Sequence, residues 1–285
     1  MPEKLRKIIT VLLTAVFIVS TALVIRHGFD AATGEESYDA AAEIAARPRE
    51  TEISEEQEST QPATEETLPP EPRMEWVIAP VEEDEHMKTL KEINLDALRE
   101  TNPAVVGWIF LPGTKINYPI VQGEDNQHYL KHTWDQRKSA AGAIFMESTN
   151  SPDFSDFRTI IYGHNMSNST MFSSLNRYDT EKNWKKYPYV YLVTDEGVLR
   201  YEIYSSYKAE VESGTYALEL KDDRYKAAFI KTTKDEARYE TGITPAVTDR
   251  LLTMSTCIGD AYARRVVHAR LPMIQVEVKT DSLQE

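Results

Sequence analysis

Arg250-Leu251-Leu252-Thr253-Met254-Ser255-Thr256-Cys257 is an apolar run that ends on the chain's one cysteine. It reads as a strand over 250–256. Ile258-Gly259-Asp260 reads as the loop that follows, which puts Cys257 where strand gives way to loop. A second strand, about 264–278, opens Arg264-Arg265-Val266-Val267-His268-Ala269-Arg270-Leu271. A strand sends neighbouring side chains to opposite faces. Arg265, Val267, Ala269 and Leu271 then share one face, and Arg264, Val266, His268 and Arg270 the other. The first set is the more apolar and suits a core, so Arg264 is assigned to the groove beside Cys257.

Upstream of this pair lie more short apolar runs broken by turn residues. They cover 105–111, 116–121, 142–146, 159–162, 189–193 and 198–207, with Pro112-Gly113-Thr114 and Asp195-Glu196-Gly197 as turns. Two stretches have helical period. Residues 86–100 place Leu90, Ile93, Ala97 and Leu98 on one side before Asn102-Pro103, and 222–237 align Tyr225, Ala228, Phe229 and Thr232. Many short strands with few helices predict a mainly β fold, a closed or nearly closed barrel with helical insertions. No glycine-rich phosphate loop is present, so nucleotide binding has no support.

Further out, the composition changes. Over 285 residues, 41% are apolar and 27% charged, which excludes collagen, wholly disordered and multi-span membrane readings. One cysteine excludes an internal disulfide and any zinc site that needs two thiolates. The net charge of −14 argues against nucleic acid as a partner. Residues 8–25, IITVLLTAVFIVSTALVI, carry no charge. As a helix they would rise about 27 Å, close to the hydrocarbon thickness of a bilayer. Lys4, Arg6 and Lys7 precede them, so residues 1–7 are expected in the cytoplasm and everything after the span outside. A cleaved signal peptide would have a shorter apolar core and a small-x-small site; here Arg26-His27 follows. Residues 26–86 are expected to form an acidic, proline-containing disordered linker. The stretch 35–86 has 17 acids against Arg47, Arg49 and Arg73, and too few apolar residues to repay ordering. The folded domain is then 87–285, on a single-pass anchor in the cell membrane.

A thiol acts as a nucleophile at neutral pH only beside an imidazole or another cation. Of six histidines, His27 sits beside the apolar run and His86 at the linker edge. His128 and His132 have metal-ligand spacing but no third ligand pattern, and no metal site is expected. His268 lies inside a strand, where it packs or faces solvent. His164 differs: it closes the apolar strand Thr159-Ile160-Ile161-Tyr162-Gly163, and Gly163 allows an unusual backbone angle before the polar loop that follows. A guanidinium at Arg264 could stabilise an oxyanion. Each residue has a plainer reading alone: a buried small hydrophobe for Cys257, a surface arginine for Arg264.

Together the residues resemble a family. Thr253-Met254-Ser255-Thr256-Cys257 is similar to the Thr-Leu-x-Thr-Cys signature of sortases, cysteine transpeptidases that attach proteins to Gram-positive cell walls. The likeness runs through nearly all of 87–285 and is closest to class B. It includes Asn102-Pro103 with Gly107-Trp108-Ile109, Ile116-Asn117-Tyr118-Pro119, Asp125-Asn126, Tyr129-Leu130, Ile160-Ile161-Tyr162-Gly163-His164-Asn165-Met166 and Met171-Phe172. Ala263-Arg264-Arg265-Val266-Val267 matches the family's Ala-Arg-x-Val-Val.

The resemblance implies a sortase-like closed barrel of about eight strands with helical insertions and an N-terminal helix. It implies Cys257 as nucleophile, His164 as acid/base and Arg264 as oxyanion or substrate-positioning residue, with Asn126, Tyr162, Ser255 and Thr256 near the substrate groove. No cofactor is implied. The implied partners are secreted proteins with a C-terminal sorting signal, and an amine from a peptidoglycan peptide or a pilin lysine. An extracellular cysteine peptidase or hydrolase, papain-like or acting on the cell wall, is the rival enzyme, but such enzymes place cysteine before histidine in the chain. An inactive membrane-tethered binding module is the non-enzymatic rival.

Overall fold

In the computed structural model residues 34–49, 73–257 and 262–278 are described. The expected cytoplasmic segment 1–7 and membrane span 8–25 lie outside them, as does most of the expected linker. Among the described residues no helix is long and apolar enough to cross a membrane. Along the chain come α1 (34–45), β1 (Arg73–Ile78), α2 (Glu85–Leu90) and α3 (Leu95–Thr101). Then follow β2 (Val105–Phe110), β3 (Asn117–Gln122), β4 (Ile144–Met146), β5 (Arg158–Tyr162), α4 (Glu181–Lys186), β6 (Tyr189–Thr194) and β7 (Gly197–Glu210). The chain continues through α5 (Asp223–Asp235), β8 (Arg250–Cys257), β9 (Ala263–Leu271) and β10 (Met273–Val278).

Eight strands close a barrel in the order β2-β3-β4-β5-β8-β9-β7-β6, as the sequence predicted. Closure leaves no unpaired edge. Most neighbours are antiparallel; β3–β4 and β5–β8 run parallel. Buried residues of the strands pack one apolar core that includes Trp108, Ile109, Ile161, Leu252, Met254 and Val267. A second cluster, Tyr204, Phe229, Ile230 and Leu251, lies where α5 covers the outer face of β7 and β8. Asp222 caps α5, its carboxylate accepting from the amides of Arg224 and Tyr225.

Besides the face of α5, which buries Phe229, Ile230 and Thr233 and leaves the expected Tyr225, Ala228 and Thr232 exposed, the structure departs from the expected elements in three places. The single helix expected over 86–100 is two, because Asn94 breaks it and caps α3 by accepting from the Ala97 amide. The strand expected over 264–278 is also two. Pro272 has no N–H to donate, so the β8–β9 ladder ends at Arg250↔Leu271 and the chain leaves the barrel. β10 pairs instead with β1, outside the barrel.

The third difference concerns the expected spacer, 26–86. Within it α1 packs on the barrel, with Ser37, Tyr38, Ala41 and Ala45 buried, and β1 forms the ribbon with β10. The buried positions recur at helical spacing, while Glu35, Glu36, Asp39 and Glu43 are exposed. The acid count of the whole stretch concealed that pattern.

Candidate active site

β5, β8 and β9 lie side by side, and their register sets the site. β5 pairs parallel with β8, Tyr162 opposite Ser255, and the Gly163 amide donates to the Ser255 carbonyl at 3.2 Å. His164 and Cys257 each follow two residues beyond that pair. β8 pairs antiparallel with β9, and Cys257 falls opposite Arg264. The backbone positions of Cys257, His164 and Arg264 thus lie at one end of three adjacent strands, although His164 is far from the other two in sequence.

Two glycines shape the histidine's surroundings. A Cβ on Gly163 would stand 2.5 Å from Ile144 Cδ1 and 2.8 Å from the Phe172 ring, so the close approach of these side chains requires glycine. The sequence reading assigned Gly163 an unusual backbone angle; its φ is not positive, and space is the reason instead. Gly142 does need its angle, with φ at +59°, and a Cβ there would lie 2.6 Å from the Tyr129 carbonyl oxygen and 3.0 Å from His164 Cδ2. His164 is half-buried, with Nε2 2.8 Å from the Leu130 carbonyl oxygen. A carbonyl only accepts, so Nε2 carries the hydrogen and Nδ1 is the nitrogen that gains and loses a proton.

A cleft of about 330 Å³ opens at these strand ends. Asn126, Tyr162, His164, Ser255, Thr256 and Arg264 all line it, so the structure brings these expected site residues together. Cys257 follows Thr256 at the end of β8. Glu147 is a buried carboxylate in the cleft wall. It accepts from Asn126 Nδ2 at 2.6 Å and from the Tyr162 hydroxyl at 2.9 Å. The Asn126 carbonyl oxygen accepts in turn from the Ser148 amide, which fixes the orientation of the side-chain amide. Burial, then the Glu147 charge, push the Tyr162 phenol well above its ordinary pKa, so it stays a donor. On the neighbouring strand, opposite Tyr162 in the register, Ser255 Oγ meets the Tyr216 hydroxyl at 2.8 Å. Tyr216 is delivered by the β7–α5 connection, which Arg158 holds by donating to the Thr215 carbonyl at 2.6 Å and to the Ala217 carbonyl.

Strand parity separates the two arginines. Arg264 lines the cleft, and its Nη1 donates to the Ala263 carbonyl at 3.0 Å. Arg265 turns away, is 8% exposed, and pairs with Asp179 at 2.8 Å. Val267, Ala269 and Leu271 continue its face into the main core.

The other histidines among the described residues have structural surroundings, while His27 lies outside them. His268 is fully buried between Thr253 Oγ1 at 3.0 Å and the Tyr207 hydroxyl at 3.1 Å. Burial, and then the Arg158 charge, push its pKa down to about 3, so the ring is neutral at neutral pH. His86 stacks at a tilt on Phe110. His128 and His132 stack on one another with centroids 4.2 Å apart. Among the described residues no group of histidine, cysteine and acidic side chains could hold a metal ion.

The sequence reading missed Glu147, Tyr216 and Gly142. Glu147 had a usable signal, an acid closing the apolar run Ile144-Phe145-Met146 beside a turn. Tyr216 had none, since only the fold of the long β7–α5 connection brings it to Ser255.

Comparison with known proteins gives a consistent picture. The model of the sortase domain matches residues 109–272. Sortase B of Staphylococcus aureus is 30% identical over 168 residues, which is 59% of this chain and 68% of that protein. Sortase B of Listeria monocytogenes is 32% identical over 163 residues, 56% of this chain and 65% of that protein. Among solved structures, a Staphylococcus aureus sortase B–substrate complex superposes with a TM-score of 0.60 at 29% identity, covering 64% of this chain and 85% of that one.

Proposed function

The chain belongs to the sortase family, as a cysteine transpeptidase with class B relatives, and on that footing we propose that Cys257, His164 and Arg264 carry its chemistry on the sorting signals of secreted proteins. The Cys257 thiolate attacks the carbonyl carbon before the scissile bond. Arg264 donates to the oxyanion that forms. The C–N bond then breaks, and His164, protonated at Nδ1, gives that proton to the leaving amine. The acyl group remains on Cys257 as a thioester. An incoming amine, from a peptidoglycan peptide or a pilin lysine, attacks the thioester carbonyl. His164 takes a proton from that amine as the thiolate leaves.

The observation that carries this reading is the register, which brings the ends of β5, β8 and β9 together at one cleft. Asn126 and Tyr162, fixed by Glu147, and Ser255, the register partner of Tyr162, offer polar groups to the sorting peptide, and Thr256 lines the same cleft. Residues 8–25 are proposed as a membrane anchor with residues 1–7 in the cytoplasm and the barrel outside, where secreted substrates and wall amines are found. The test is to incubate the chain with a peptide library and candidate amines, and read cleavage and ligation by mass spectrometry. Products that join peptide to amine are expected. Cleavage to the free acid alone, with every amine tried, would point to a peptidase.

A further inference from the structure

We propose that α1 braces the candidate catalytic histidine, and that Tyr38 is the positioning residue through which it does so. The inference rests on His164 acting as acid/base. α1 was expected to be part of a featureless spacer, yet its inner face reaches the segment that walls the His164 ring and the loop that holds the His164 backbone.

The first segment is 139–143. At the start of α1, a Cβ on Gly34 would sit 3.0 Å from Ala141 Cβ, so helix and segment are in close approach. One turn on, the buried Tyr38 hydroxyl donates to the Gly142 carbonyl at 2.9 Å. Gly142 is also the residue whose Cβ would stand 3.0 Å from His164 Cδ2. The peptide that Tyr38 holds on one side is therefore the wall of the imidazole on the other. The Ala143 amide donates to the Tyr129 carbonyl at 2.8 Å, beside the Leu130 carbonyl that accepts from His164 Nε2.

The second segment is the loop after the histidine. The Tyr38 ring packs edge-on to Tyr118 with centroids 4.8 Å apart, and the Tyr118 hydroxyl accepts from the Met171 amide at 3.2 Å. Met171 has φ at +54° and is followed by Phe172, whose amide donates to the His164 carbonyl at 3.0 Å. α1 is itself anchored independently of this path, since Trp134 Nε1 donates to the Ser37 carbonyl at 2.8 Å. Losing the Tyr38 hydroxyl should thus free the Gly142 peptide without undocking the helix.

A substitution that merely loosened the fold would lower the melting temperature and leave the histidine's own behaviour alone. Bracing predicts something more specific. With the full chain, Tyr38→Phe keeps the ring and removes one hydrogen bond. It should lower kcat about fivefold, on the scale of one neutral hydrogen bond, with KM within about twofold. Cys257 is the chain's one thiol, so its alkylation rate against pH reports the thiol–imidazole pair directly. That profile should shift in Tyr38→Phe in the direction His164→Ala shifts it, by a smaller amount. Tyr225→Phe, on the exposed face of α5, should match the unmodified chain in both readouts. If Tyr38→Phe keeps the unmodified kcat and alkylation profile while His164→Ala changes them, the brace is wrong and the site reading stands. If His164→Ala itself leaves the alkylation profile unchanged, the site reading fails and the brace with it.

Discussion

Replacing each of two adjacent arginines separates a chemical role from a structural one. Arg264 lines the cleft opposite Cys257 in the register; Arg265 is buried on the other face against Asp179. Arg264→Lys keeps the charge but loses the planar fork. If the guanidinium donates to the oxyanion, turnover should fall roughly 100-fold or more, the usual cost of about 3 kcal/mol for one such donor. Arg265→Ala should act on stability. Breaking a fully buried pair costs about 3–5 kcal/mol, but Asp179 is 40% exposed and keeps Arg238 at 3.2 Å, so a loss of about 1–2 kcal/mol is expected. For a domain of this size that lowers the melting temperature by about 2–8 °C. Turnover per folded molecule should change by less than about tenfold, since no donor to the oxyanion is lost. Steady-state kinetics with one sorting peptide, together with thermal melts of both variants, read the two effects. A greater turnover loss at Arg265 than at Arg264 would refute the parity argument and move the oxyanion role one residue along.

Other consequences are as direct. His268 has a folded pKa near 3, below its unfolded value of about 6.5, so the unfolded chain binds the extra proton between those pH values. Its contribution to stability is complete above about pH 6.5 and lost as pH falls towards 3; at pH 5 the loss is at most about 2 kcal/mol. Urea melts at pH 7 and 5 should show that loss, and a His268→Gln chain with the same pH slope would exclude this source. Gly163→Ala drives a methyl into Ile144 and Phe172, and should cost about 1–3 kcal/mol by overpacking. Unchanged stability and activity would show that the β5 end can shift. Glu147→Ala frees Asn126 and Tyr162, and KM for the sorting peptide should rise about tenfold through loss of charge-assisted hydrogen bonds. An unchanged KM would remove both residues from the peptide's contacts.

Much of the site was legible because it depends on strand period. Placing Arg264 and Arg265 on opposite faces required only alternation, and a cysteine at a strand end required only the loop after it. The closed barrel followed from many short apolar runs. What stayed hidden depends on partners distant in sequence. Val266 and His268 share the Arg264 face, which looks like a solvent face, yet both are fully buried beneath other elements. α1 is built on alanine, serine and one tyrosine, which carry little apolar signal, and its docking surface is made by Trp134, Tyr118 and Ala141. β1 becomes a strand only because Pro272 sends β10 out of the barrel to meet it. Docked α1 and paired β1 also mean that the expected 87–285 piece omits elements that pack on the barrel.

The central claim is that Cys257 forms a covalent thioester in turnover, and intact-protein mass spectrometry tests it without any kinetic model. The full chain is mixed with a cleavable sorting peptide and quenched in acid before an amine is added. A mass increase equal to the acyl fragment, lost on adding the amine that supports ligation and absent from Cys257→Ala, is the predicted result. Ligated product formed by Cys257→Ala at the unmodified rate would contradict it.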